Sequence, residues 1–269
     1  MLKPRIIFTL LYQDGCFMLS RNFRLQKVGD ISWLEKNYNF SKIAFSIDEL
    51  IIIDVSRDDR DHSRFCEHVK QLNGCCFVPI AAGGGVDNLT YASDLFKYGA
   101  DKIIMNSSLY DNPELCKEIV ANYGKQCLIA SVDVIRFGSK FNVRINNGNK
   151  DIEFGLSEWI EKLVDMSVGE IYLNSIDRDG TGQGYLFELL DNIPTNIPVP
   201  LIMSGGAGNQ KHLIDGLEDT RIDAVATAHL FNFVNDGLRL ARESIINNGF
   251  DLPSWDIDFA SKLKTVISD

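Results

Sequence analysis

The sequence predicts a single (β/α)8 TIM barrel, an α/β fold in which eight parallel strands close inside a ring of helices. Three observations carry that expectation. Eight short apolar runs alternate with longer helix-period stretches, and 269 residues shared among eight units leave about 34 residues for each. The second half of the chain also repeats landmarks of the first. Runs this apolar suit strands covered on both faces rather than half-exposed ones. No Pro- or Ser-rich linker interrupts the pattern. Residues 1–269 therefore read as one domain, with half-barrels near 1–125 and 126–250 and a tail over 251–269.

The elements follow in order. Arg5–Leu11, preceded by Lys3, is too short an apolar run for a signal peptide, lacks a small-residue cleavage site, and reads as the first strand. A helix-period stretch, Asp30–Ser46, leads to the second strand, Glu49–Asp54, and Ser63–Leu72 leads to the third, Phe77–Ala81. Leu89–Tyr98 precedes the fourth strand, Lys102–Met105, and Pro113–Tyr123 precedes the fifth, Cys127–Asp133. Leu156–Met166 precedes the sixth, Glu170–Asn174. Val199–Met203 and Asp223–Thr227 complete the set, and Asp236–Asn247 is the last helical stretch. This alternation is that of parallel βα units.

An offset of 121–122 residues aligns Asp48-Glu49-Leu50 with Gly169-Glu170-Ile171 and Arg57-Asp58 with Arg178-Asp179. It also places Gly84-Gly85 on Gly206-Ala207 and Ala100-Asp101 on Ile222-Asp223. Four matches in one order point to two half-barrels of four units each.

Composition narrows the function. Lys+Arg number 27 against 37 Asp+Glu, a net charge of −10, with 45% apolar and 24% charged residues. Disorder and collagen-like repeats are excluded, and no apolar run approaches the ~18 residues of a membrane helix. The acidic balance disfavours nucleic acid and anionic membranes, so a phosphorylated ligand must be held by local donors. Six cysteines (16, 66, 75, 76, 116, 127) show no C-x-x-C or zinc spacing, and four histidines (62, 68, 212, 229) form no metal set. A reduced, cytoplasmic protein without metal or cofactor is the expectation.

In such a barrel the strand C-terminal ends form the active face. Ala82-Gly83-Gly84-Gly85 follows the third strand and Ser204-Gly205-Gly206-Ala207-Gly208 follows the seventh. Glycine lets backbone approach an anion, and successive N–H groups converge on phosphate oxygens; the plain alternative is glycine that only turns strand into helix. Asn106-Ser107-Ser108 and Thr227-Ala228-His229 could complete each nest, suiting a substrate with a phosphate at each end. Asp133 ends the fifth strand, where a buried carboxylate is costly unless solvated or used. The sixth strand runs into Asn174-Ser175-Ile176-Asp177-Arg178-Asp179-Gly180-Thr181-Gly182, dense in donors and acceptors. Acid–base work needs a second positioned group, and the repeat directs attention to position 11. That residue is Leu11, with Asp14 nearby where a turn with Gly15 is expected.

Together these stretches, with Asp48-Glu49-Leu50 and Gly99-Ala100-Asp101-Lys102, resemble the cyclase-subunit family of imidazole glycerol phosphate synthase over residues 3–250. The family is the ammonia-using half of a glutamine amidotransferase in histidine biosynthesis, and the sister isomerase of that pathway fits less well over 170–182. The resemblance implies a (β/α)8 barrel, a lyase activity, and a class I glutaminase partner in a heterodimer. It also implies a phosphorylated small-molecule substrate. Its phosphate and substrate contacts would fall on Gly83, Gly84, Gly85, Asn106, Ser107, Asp177, Gly180, Thr181, Gly205, Gly206, Thr227 and Ala228. Its acid/base residues would fall on Asp133 and position 11, with an assisting lysine at 19 and a further carboxylate at Asp179. Here positions 11 and 19 are Leu11 and Leu19. The ammonia gate would be Arg5, Glu49, Lys102 and Glu170, with Asp101 and Gln126 near the glutaminase; singly, each of these charges could simply reach solvent.

The expectation is therefore a diverged paralogue that receives ammonia but has weak cyclase activity. Such a subunit would serve a third, ammonia-accepting enzyme of amino-sugar or surface-polysaccharide synthesis. The alternatives are an active histidine-pathway cyclase, with Asp179 or Asp14 replacing the missing group, and a non-catalytic conduit that activates the glutaminase. His229 stands where the family has a small polar residue, and would either add a cation for phosphate or crowd the site.

Overall fold

A computed structural model describes residues 3–38, 40–57 and 59–253. Eight strands pair in parallel in the order β1 (Arg5–Gln13), β4 (Glu49–Asp54), β5 (Ile80–Gly83), β6 (Lys102–Met105), β7 (Leu128–Phe137), β10 (Glu170–Ser175), β11 (Leu201–Ser204) and β12 (Ala224–Thr227). Pairing of β12 with β1 closes the barrel. Around it lie α1 (Ile31–Tyr38), α2 (His62–Cys75), α3 (Leu89–Lys97), α4 (Ser107–Asp111), α5 (Pro113–Tyr123), α6 (Leu156–Asp165), α7 (Gln210–Glu218) and α8 (Gly237–Asn247). One apolar cluster fills the space between strands and helices. A smaller one, including Ile7, Ile51, Ile104, Ile129, Tyr172 and Ile202, plugs the barrel interior.

Two antiparallel hairpins depart from the sequence expectation: β2 (Cys16–Arg21) with β3 (Arg24–Gly29), and β8 (Lys140–Ile145) with β9 (Lys150–Gly155). Each continues directly from the first strand of a half-barrel, β1 or β7. Asp14 and Gly15 form the expected turn with φ of 49° and 80°, the conformation a tight hairpin requires.

The expected strand at Phe77–Ala81 starts later, at Ile80, and that at Val199–Met203 starts at Leu201. In both cases a proline, Pro79 or Pro200, stands immediately before, and its carbonyl accepts from Leu50 or Ile171 N–H at 3.0 Å. Proline has no N–H for the ladder, so the strand begins after it. The helix expected over Asp30–Ser46 stops at Tyr38, and Phe40–Phe45 is a 3-10 turn. The Asn37 carbonyl is taken by the Asn235 N–H at 2.8 Å instead of continuing the helix.

The repeat is physical. Asp101 Oδ2 accepts from Ile80 N–H and Asp223 Oδ2 from Leu201 N–H, at 2.8 and 2.9 Å. Asp48 makes the same contact to Ile6 N–H at 2.8 Å. Asp48 also forms a buried two-pronged ion pair with Arg242 of α8, at 3.0 and 2.9 Å, tying the last helix to the strand starts. All six cysteines are free. Among the described residues no helix is long and apolar enough to cross a membrane, and no cluster of His, Cys, Asp or Glu could hold a metal ion. The repeat partner Asp58 and tail residues 254–269 lie outside the described residues.

Candidate functional site

The C-terminal ends of the strands surround a cavity of about 300 Å³. Its floor is polar: the Tyr172 hydroxyl lies 3.1 Å from Thr9 Oγ1 and 2.6 Å from Ser204 Oγ. Asp133 and Leu11 both line it. Strand register fixes their relation, because Leu11 pairs with Ile53 as Asp133 pairs with Asn174. The two half-barrels thus present equivalent positions, one as Asp with Asn, the other as Leu with Ile.

The Asp133 carboxylate is gripped at both oxygens. Asn174 Nδ2 donates to Oδ1 at 2.9 Å and Asn106 Nδ2 to Oδ2 at 3.2 Å. Burial nevertheless outweighs the Asn174 bond and, with the charge of Asp179 adding to it, pushes the pKa up to about 7. A carboxyl near neutrality can both give and take a proton. Asn106 also donates to the Ser131 carbonyl at 3.0 Å, so its amide is committed to the strand end and Asp133. Ser107 Oγ accepts from Asn146 N–H at 2.9 Å, bringing the β8–β9 turn to the rim.

Asp179, in the loop after β10, also lines the cavity and is pinned to the β2–β3 hairpin. Ser20 Oγ donates to its Oδ2 at 2.5 Å and Phe23 N–H at 3.0 Å. Burial raises its pKa against these bonds and the His229 charge. Gly180 packs against the Ser20 carbonyl, where an added Cβ would sit 1.8 Å from the oxygen. Asp177 faces away: its Oδ2 accepts from Arg136 N–H at 2.7 Å, fixing the β7–β8 hairpin. Thr181 Oγ1 donates to Arg178 O at 2.8 Å within its own turn. Neither Asp177, Thr181 nor Gly83 lines the cavity. Asp14 is exposed in its turn and does not line it either.

Both glycine pairs do line the cavity. Gly84 and Gly85 have φ of 105° and 67°, and Gly205 and Gly206 have 86° and 112°. A Cβ on Gly84 would meet the Asp54 carbonyl at 2.1 Å, and one on Gly206 the Gly184 carbonyl at 2.1 Å. Glycine lets backbone approach an anion closely, and successive N–H groups in turns can form concavities that suit anions. Asn88 and Asn209 then cap α3 and α7 in matching fashion. Thr227 Oγ1 donates to Ala207 O at 3.0 Å, holding the end of β12 and the lining residue Ala228 beside the second pair.

Sequence reasoning missed Arg57 and Arg60, which enter the cavity from the loop after β4. Arg60 lies against Gly85, its Cδ 2.7 Å from where a Cβ would stand. Arg57 donates to the Phe23 carbonyl at 2.5 Å. The proximity of Arg57 to the first glycine motif through the βα loop was the available signal. The hairpin residues Ser20, Phe23 and Leu25 were missed with their strands.

At the opposite end the four residues expected to form a gate make a closed ring of ion pairs. Arg5 donates to Glu49 at 3.0 Å and to Glu170 at 2.7 Å; Lys102 donates to Glu49 at 2.9 Å and to Glu170 at 2.5 Å. Burial pushes Glu49 up, aided by the Glu170 charge. Glu170 is also raised by burial, but Arg5 and Lys102 outweigh it and hold the pKa low. Asp101 and Gln126 are exposed at the same end, before β6 and β7. Gln126 Nε2 donates only to the local Tyr123 carbonyl, at 3.2 Å.

A model of the family described as histidine biosynthesis protein matches residues 23–235. A Parasynechococcus marenigrum protein provisionally named imidazole glycerol phosphate synthase subunit hisF2 is 47% identical over 243 residues, 90% of each chain. Imidazole glycerol phosphate synthase subunits HisF of Chlorobium phaeovibrioides and Chlorobaculum tepidum are each 36% identical over 250 residues, 93% of this chain and 98% of theirs.

Proposed function

This chain belongs to the histidine biosynthesis protein family, with HisF-type subunits among its relatives, and from that membership we propose an ammonia-receiving cyclase-type subunit whose acceptor chemistry has diverged. It pairs with a class I glutaminase across the barrel base and admits ammonia at the ring of Arg5, Glu49, Lys102 and Glu170. The ammonia reaches a mouth whose two glycine nests take a phosphorylated small molecule. From there it serves a third, ammonia-accepting enzyme, of the kind needed in amino-sugar synthesis.

The observation that carries this reading is the strand register. Asp133 with Asn174 occupies the place that Leu11 with Ile53 occupies in the other half-barrel. A side chain without a titratable group cannot move a proton, and losing one of two acid–base groups lowers a rate by ~10²–10⁴-fold. The base keeps a full complement of four charges in reciprocal contact while the mouth keeps one of two proton-transfer groups.

Reconstitution tests the ammonia-receiving half. Mixed with a class I glutaminase, the chain is expected to form a one-to-one complex and to stimulate glutamine hydrolysis. Lys102→Glu, which leaves three acidic groups around Arg5, is expected to reduce delivery of ammonia while leaving the mouth cavity intact. No complex and no stimulation would contradict the proposal.

A further inference from the structure

Among the described residues, four buried side-chain polar atoms have no hydrogen-bond partner: Arg60 Nε, Tyr91 Oη, Ser175 Oγ and His229 Nδ1. A buried donor or acceptor left unpaired costs about 1–3 kcal/mol; the atoms are themselves sealed from solvent, but where the side chain lines a cavity, a turn of its head group toward a bound anion completes the bonding. Arg60 and His229 both line the mouth cavity, and they stand on opposite half-barrels. Arg60 lies against Gly85 of the first glycine pair. His229 follows β12, whose Thr227 Oγ1 donates to Ala207 O at 3.0 Å and accepts from His229 N–H at 3.3 Å. Through Thr227 these contacts hold the His229 backbone near Ala207, which follows the Gly205–Gly206 pair, and all of these residues line the same cavity.

We propose that the second glycine pair holds a phosphate monoester with the His229 imidazole as a donor to its oxygens, and that binding there takes up a proton from solvent. The proposal rests on the reading of the mouth as a phosphate site and goes beyond it by making the two sites unequal. Arg60 is charged at every physiological pH. His229 is the titrating member.

The charges around His229 set the direction of the effect. Asp179, in the loop after β10, is the carboxylate that acts on the ring, and Asp133, Asp54, Arg57 and Arg60 line the same cavity. Asp179 is already committed to Ser20 and Phe23. Burial lowers the His229 pKa, with its own backbone carbonyl and Asp179 pulling the other way. The free ring is therefore mostly neutral at pH 7.5. A phosphate dianion beside it favours the imidazolium, because an opposite charge at close range stabilises the charged form. The proton balance is simple: neutral imidazole, one solvent proton and the dianion give imidazolium paired with the dianion. No bond to phosphorus forms or breaks.

Calorimetric titration of the full chain with glycerol 3-phosphate and with inorganic phosphate tests this, run at pH 7.5 in two buffers of different ionisation enthalpy. The unmodified chain is expected to take up close to one proton per ligand at the second site and to bind more weakly as pH rises toward 9. His229→Ala is expected to lose that proton uptake and to weaken binding about tenfold. His229→Asn, which keeps a neutral donor, should recover part of the affinity without the uptake. Arg60→Met should weaken binding yet keep the uptake. Tight binding with no proton uptake, unchanged in His229→Ala, overturns the role of His229 and leaves the phosphate reading standing. Absence of binding by the unmodified chain at any pH overturns the phosphate reading and this inference together.

Discussion

Asp133 lines the mouth with both carboxylate oxygens bonded, by Asn174 and Asn106. Its pKa of about 7 lies above the ~3.9 of an unfolded aspartate. Between those values the folded chain holds a proton that the unfolded chain has lost. The stability associated with this group is thus full below about pH 4 and is lost as pH rises through 7. A three-unit difference caps the effect at ~4 kcal/mol, and water in the cavity reduces it. Relative to the unmodified chain, Asp133→Asn is therefore expected to gain stability between pH 5 and pH 8, whatever its offset at pH 5. Thermal unfolding of both proteins at the two pH values measures this. A constant gap would contradict the raised pKa. Asp133 was legible in the sequence because a carboxylate at the end of an apolar strand stands out. His229 was legible only as an anomaly, and Arg60 was not, because nothing in a charged loop residue reveals that it folds back over a glycine.

At the level of elements, the strands that bury both faces were readable and the hairpins were not. Runs such as Glu49–Asp54 and Lys102–Met105 begin and end in the structure where the apolar pattern begins and ends. By contrast β3 and β9 mix exposed and half-buried residues, and their alternation is too weak to separate from loop. Asp14-Gly15 was the signal that a hairpin starts there. The glycine pairs illustrate a second limit: sequence can mark the glycines, but only packing shows which ones nothing else can replace. Gly206→Ala places a Cβ 2.1 Å from the Gly184 carbonyl at φ 112°. It is expected to cost more than ~1–3 kcal/mol of stability, the range for strained backbone. Gly138→Ala at the β7–β8 turn has φ 62° and no atom within 4 Å of the added Cβ, so it should cost about 1 kcal/mol. Denaturant unfolding of the two variants gives the comparison, and equal losses would contradict the packing argument.

The whole molecule is a barrel made of two similar halves, with a charged ring at one end and a cavity at the other. The repeat was visible as an offset of 121–122 residues, and its physical content is shared bonding: the two prolines before β5 and β11, the aspartates that grip the preceding strand, and the two hairpins. The last helix is tied to the strand starts by Asp48 and Arg242, both nearly inaccessible to solvent. Removing one member of a buried pair leaves the other uncompensated, so Arg242→Ala is expected to cost ~3–5 kcal/mol. A loss below 1 kcal/mol by denaturant unfolding would show that α8 is held by apolar contacts alone. With a net charge of −10, the proposed phosphorylated ligand would need local donors at the mouth, where Arg57, Arg60 and the glycine pairs line the cavity.

In the proposed function Leu11 breaks a proton-transfer pair that Asp133 alone does not replace. Turnover of the histidine-pathway nucleotide with ammonium, compared between the unmodified chain and Leu11→Asp combined with Leu19→Lys, tests it most directly. Little or no imidazole product is expected from the unmodified chain, and a gain of ~10²–10⁴-fold in the variant. Robust turnover by the unmodified chain would contradict it.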